Sequence, residues 1–191
     1  GEVVEKLPFC TIHLEVENGC HDIAEGWGGI FLMDQWGWPT EEVSRETKQA
    51  VMQGVLDAYV HLVTTHAGMF HPIGLFMELE DDLARINERV SRKHGLDEPQ
   101  PFLSALVCVS AVDAALHDAY GNVNGIDSYD GYGPEWMDDL SKWLGPDFEG
   151  EYVEDYILDA YKPKVPIFHL VGGLDKLTRD ELDDSDPDDG L

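Results

Sequence analysis

The chain has 191 residues, enough for one domain or one domain plus part of another. With 39 acidic against 12 basic residues it carries a net charge of −27, a field that repels nucleic-acid phosphates and anionic membranes. Such acidity suits either a salt-rich habitat, where counter-ions screen the self-repulsion, or an ordinary acidic cytoplasmic protein. Three cysteines without a CxxC pair argue against a disulfide framework; they read as small core residues, with a single Cys10–Cys20 bond left open. No signal peptide is visible and no apolar run has the length of a membrane span, so the cytoplasm is the expected compartment.

Residues 1–7 form a polar lead-in. From Phe9 to Val16 apolar and polar residues alternate, the period of a half-buried strand. Asn18-Gly19 follows as a hairpin signal, since both residues tolerate positive φ. A second strand is expected over about 21–26. The stretch from Trp27 to Pro39, rich in glycine and aromatics without helical period, predicts a structured loop. Thr40 is the expected N-cap of a helix over about 41–66, whose stripe includes Val43, Val51, Val55 and Leu62. Gly68 to Gly74 should break it. A second helix is expected over about 75–94, with Leu79, Leu83, Ile86 and Val90 on its buried stripe and Gly95 at its end.

A third helix, over about 102–121, is apolar nearly all round and should lie at the centre of the domain. A glycine-bearing loop, a short acidic helix over about 135–144 and an acidic stretch to Lys162 follow. Val165 to Val171 reads as one buried strand, ended by Gly172-Gly173. A lone strand needs neighbours for its backbone groups, so it implies a sheet or barrel continuing beyond Leu191.

Within the third helix, Ala111, Asp113, Ala115, Leu116, Asp118 and Gly121 reproduce the spacing of a helix motif found in mandelate racemases and muconate-lactonizing enzymes. The chain therefore resembles the N-terminal, substrate-capping half of that branch of the enolase superfamily. Gly125 and Tyr129 continue the match. His117 replaces the usual Trp, Asn122 replaces the usual Lys, and Asp130 to Gly133 keeps only the last glycine of an expected Leu-Leu-Gly. The hairpin is similar to the family's paired strands, and Val165 to Gly173 resembles the strand that enters the barrel.

The resemblance implies an α+β capping domain over residues 1–145, a hairpin sheet packed on a three-helix bundle. A linker and the truncated start of a TIM-type (β/α) barrel would occupy 146–191. It implies a Mg²⁺-dependent enzyme that removes a proton α to a carboxylate: a racemase, cycloisomerase or dehydratase, sugar acids being one substrate class. The Mg²⁺ ligands and bases would lie on barrel strands beyond residue 191, leaving this segment inactive alone and binding no metal. A small carboxylate substrate, the rest of the barrel and a second copy of the chain are the implied partners.

Implied pocket residues are Trp27, Gly28, Ile30 and Phe31, on the loop expected after the hairpin, together with His169 on the barrel strand. The other specificity loop would end within Glu2 to Leu7. A packing role competes with each: aromatics bury against neighbours, and a lone histidine is more often a hydrogen-bonded core residue. His117, Asp113 and Asp118 read as structural, their side chains holding helix ends or loops. Lys162-Pro163-Lys164 precedes its strand and contains a proline, so it is not read as a catalytic base pair. Asp184, Asp186 and Asp188 have a Ca²⁺-loop cadence with the glycine one place late. The rival to the enzyme reading is a free-standing acidic interaction domain without catalysis.

Overall fold

The computed structural model describes residues 7–168 and 178. The chain divides into two compact units, Gly1–Leu158 and Asp159–Leu191. The first unit is α+β. Strands β1 (Phe9–Glu17) and β2 (Ile23–Phe31) pair antiparallel in a register that sets Phe9 opposite Phe31 and His13 opposite Trp27. Helices α1 (Asp34–Gly37), α2 (Arg45–Thr65), α3 (Pro72–Lys93) and α4 (Phe102–Asn124) follow, then a short α5 (Ser141–Leu144). In the second unit, Asp159 to Phe168 contains no strand; the remainder of the expected barrel strand, 169–171, lies outside the described residues.

The hairpin forms as expected but turns by a different device. The loop 18–22 closes through the Asn18 side chain, whose Oδ1 accepts from the Cys20 and Asp22 amides at 2.9 and 3.0 Å. The positive φ falls on His21, at 66°, and not on Gly19. Strand β2 also runs on through Trp27 to Phe31, where a loop was expected. Gly26 and Gly28 do not break the strand, because they are the residues thin enough to lie on α4, as set out below.

Helix α2 starts at Arg45, four residues late. Ser44 is the N-cap, its Oγ accepting from the Thr47 amide at 3.2 Å. Thr40 instead ends the preceding loop, its hydroxyl accepting from the Glu42 amide. Ser44→Ala should therefore lower stability by about 1 kcal/mol, and Thr40→Ala by less, in urea unfolding. Helix α3 starts early, at Pro72, whose ring is pre-set for a first turn and lacks the N–H that would go unpaired there. Helix α4 runs three residues past Gly121 and ends on Gly125 at φ 66°, in the left-handed region. The acidic helix expected over 135–144 shrinks to the single turn of α5, with Asp139 stapling its start to Ser141 and Gly150.

The core lies where α2 and α3 meet α4. Val51, Met52, Val55, Leu79, Leu83, Ala105, Cys108 and Val112 are fully enclosed, and β1 and β2 close the other side of α4. Helix α4 is the one described helix long and apolar enough to cross a membrane; here it is the central helix, as its all-round apolar pattern predicted. All three cysteines are free thiols, with Cys108 alone fully buried.

One polar pair sits inside this apolar frame. Lys48 on α2 and Asp34 on α1 are both buried, with Nζ 3.4 Å from Oδ2. Lys48 also donates to the Thr40 carbonyl at 2.6 Å. The pair thus ties the start of α2 to α1 and to the loop between them.

Candidate functional site

The four pocket candidates on β2 are separated by the pleat, because successive strand residues face opposite sides. Gly28 and Ile30 face inward and Trp27 and Phe31 outward. A Cβ on Gly28 would sit 2.0 Å from the Ala111 carbonyl oxygen, and one on Gly26 would sit 2.2 Å from that of Ala115. Both glycines are therefore pressed against the backbone of α4. Ile30 packs on the hydrophobic core. Neither Gly28 nor Ile30 opens onto a cavity on the outer face.

On the outer face, Trp27 is 55% exposed and lies flat on His13, with ring centres 4.0 Å apart and planes within 9°. His13 Nε2 is 3.1 Å from Glu25 Oε2. Phe31, 49% exposed, meets Phe9 edge to face at 4.8 Å. Ile23 is exposed on the same face. The outer face thus groups Phe9, Phe31, His13 and Trp27 toward the open end of the hairpin and Glu15, Glu17 and Glu25 toward its loop; exposed aromatics grouped in this way are the kind of surface that is usually covered by something. His13 was not among the sequence candidates. Its signal was available, since strand alternation puts it beside whichever residue pairs with it.

Helix α4 positions this face. Asp118 Oδ2 accepts from the Trp27 amide at 2.8 Å, and Asn122 Nδ2 donates to the Glu25 carbonyl at 2.9 Å. Both backbone groups lie on the edge of β2 that β1 leaves unpaired, so two α4 side chains serve as its hydrogen-bond partners. Asp118, expected to hold a helix end or a loop, holds the edge of a strand instead. His117 Nδ1 lies 3.0 Å from the Asp113 carbonyl, one turn back along the helix.

A second cluster was missed by sequence reasoning. His71, at the head of α3, is buried among Tyr120, Tyr132 and His117, with ring centres 4.9, 5.7 and 6.0 Å away. The Ile73 amide donates to its Nδ1 at 3.2 Å, which caps the helix. Its Nε2 is enclosed without a well-formed hydrogen bond. Burial, and then the neighbouring His117, push its pKa down to about 4; the Gly131 carbonyl pulls the other way but less strongly. The rings come together from three separate stretches of chain, so no local pattern announces them.

The sign of the pH effect follows. The unfolded chain takes up a proton near the ordinary pH of 6.5, while the folded state resists it until about 4. The stability due to neutral His71 is complete above pH 6.5 and is lost as pH falls toward 4. His71→Asn keeps a cap acceptor and removes the titration. The stability of the parent relative to this variant should fall by up to roughly 3 kcal/mol between pH 7 and 4, read by urea unfolding at each pH. A constant difference across that range would contradict the assignment.

Among the described residues no group of three or more His, Cys, Asp or Glu side chains is arranged to hold a metal ion. His169 and the Asp184, Asp186 and Asp188 cadence lie outside the described residues, as does Glu2 to Lys6 of the expected upstream loop. Comparison with protein-family models, with curated proteins and with solved structures gives no match for the chain.

Proposed function

We propose that this chain is the substrate-capping part of an enolase-superfamily enzyme of the mandelate racemase and muconate-lactonizing type. The carrying observation is where the helix-motif residues sit. Ala111 and Ala115 lie beneath Gly28 and Gly26, and Asp118 pairs with the Trp27 amide. At the end of α4, Gly121 lies against the Ile126 carbonyl, where a Cβ would approach to 2.9 Å. Three of the motif residues, Ala111, Ala115 and Asp118, dock the hairpin on the helix, and Gly121 lets the chain after α4 pass close to it.

In this reading Trp27 and Phe31 wall the substrate pocket from the outer face, while Gly28 and Ile30 set their height from behind. The bases and Mg²⁺ ligands belong to a barrel, whose metal would stabilise the enediolate of a carboxylate substrate. The contribution of this chain is to exclude water and select by size. Sugar-acid dehydration, racemisation and cycloisomerisation all fit that division of labour. The exposed aromatic face also favours one rival, an acidic interaction domain that buries the same face against another protein.

The native polypeptide decides between them. The capping reading expects an intact mass well above 21.4 kDa, larger by a barrel of about 200 residues or more, and exchange of the α-proton of a carboxylate substrate with solvent deuterium. In that enzyme Trp27→Ala should lower kcat/KM for the preferred acid by about tenfold or more while leaving the thermal midpoint nearly unchanged. A native mass of 21.4 kDa with no such exchange would remove the enzyme reading and leave the interaction domain.

A further inference from the structure

On the first unit, a groove of about 670 Å³ opens between the hairpin loop, the turn from α2 to α3, and the C-terminal half of α4. Its size is that of sites for small organic ligands. Leu14, Val16, Leu75, Leu116 and Val123 supply aliphatic surface to it. Aromatic rings line it as well: His66 beside Phe70 at 5.2 Å, and Tyr120 beside Trp136 at 6.3 Å, with His71 next to Tyr120. The flexible Met69, 66% exposed, lies at the rim.

Two properties narrow what this groove can hold. The first is charge. No lysine or arginine among the described residues lines it, His71 is neutral at pH 7, and the chain carries −27. An anion would meet no counter-charge there and a repulsive field everywhere. The second is hydrogen bonding. The Asn18 amide donates to Asp22 and Val123, the Thr64 hydroxyl to Val60, the Tyr120 hydroxyl to Trp136, and the Asn124 amide to Tyr120. These polar groups are committed within the protein. What remains for a ligand is aliphatic surface and the π-faces of rings, with Glu15 and Glu17 at the hairpin end of the groove adding negative charge that favours a cation. Aromatic faces attract cations that carry no donors of their own, above all quaternary ammonium groups.

We propose that this groove is a binding site for a small quaternary ammonium compound with an apolar body. The site is separate from the outer hairpin face and does not depend on the capping role. The test is titration calorimetry of the whole chain with choline and with its uncharged isostere 3,3-dimethylbutan-1-ol, in 0.5 M NaCl to suppress diffuse attraction. Choline should saturate one site and bind about tenfold or more tighter than the alcohol. Met69→Arg puts a positive charge at the rim and should abolish that binding. Trp36→Arg makes the same change in net charge at a residue outside the groove, 79% exposed, and should leave binding intact. Both sites are exposed enough to spare the fold, which circular dichroism would check. No saturable choline binding, equal binding of the alcohol, or equal loss in the two arginine variants would each overturn the proposal.

Discussion

Asp34→Ala should cost about 3–5 kcal/mol, one of the two largest losses expected from any single change described here. Asp34 and Lys48 are both buried, 3.4 Å apart. Removing the carboxylate leaves an ammonium group enclosed with the Thr40 carbonyl as its remaining hydrogen-bond partner. A buried charge without its counter-ion loses hydration that nothing replaces. The double variant Asp34→Ala with Lys48→Met should regain most of the loss, because an apolar side chain of similar length fills the space without the desolvation cost. Urea unfolding of the parent, the two single variants and the double variant forms a complete cycle. Additive losses would mean that the pair is not coupled and that the burial of Lys48 has another explanation.

Gly28→Val is the second. The new Cβ would start 2.0 Å from the Ala111 carbonyl oxygen and 2.8 Å from the Ala115 amide. Both are backbone atoms in the middle of a helix and cannot swing aside. Either the hairpin lifts off α4 or α4 bends, and both expose apolar surface. A loss of about 4 kcal/mol or more is expected, beyond ordinary overpacking because no side chain can yield. Gly29→Val is the matched control. Its Cβ points outward and meets the Phe9 ring at 2.7 Å, a side chain free to rotate away. That variant should cost about 1 kcal/mol or less, and β-branching in a strand offsets part of it. Similar losses in the two variants, measured by thermal unfolding, would contradict the docking geometry.

The three long helices α2, α3 and α4 were legible because each carries repeated apolar positions, and repetition survives the loss of any one signal; the single turn of α1 lies in the stretch expected to be a loop and is too short to show a period. The all-round apolar pattern of α4 also gave its central position. Helix starts were less legible. Thr40 and Ser44 are both good caps by composition, and the choice between them is made by Lys48 reaching back to the Thr40 carbonyl and by Asp34, neither of which is local. The end of β2 was misread for a related reason. Gly26, Gly28 and Gly29 lower strand propensity taken singly, and for Gly26 and Gly28 only the presence of Ala111, Ala115 and Ala119 across the interface makes glycine the residue that fits. The outer aromatic face was half visible: Trp27 and Phe31 stood out, but assigning them with Gly28 and Ile30 to one loop concealed that the pleat divides the four. The His71 cluster was invisible, since its rings are gathered from the head of α3, from α4 and from the loop after it.

The glycine–alanine seam has a consequence for how this protein can change. It fixes the hairpin through main-chain atoms, with almost no help from the side chains on the opposite face. His13, Trp27, Phe31, Phe9 and Ile23 therefore stand on a platform whose height and tilt do not depend on them. Most domains entangle their recognition residues with their packing, so that altering one disturbs the other. Here the two are divided between alternate positions of the same strands. Selection, natural or in the laboratory, can rewrite the odd-numbered positions while the even-numbered ones stay constant, and a library confined to that face should return mostly folded proteins.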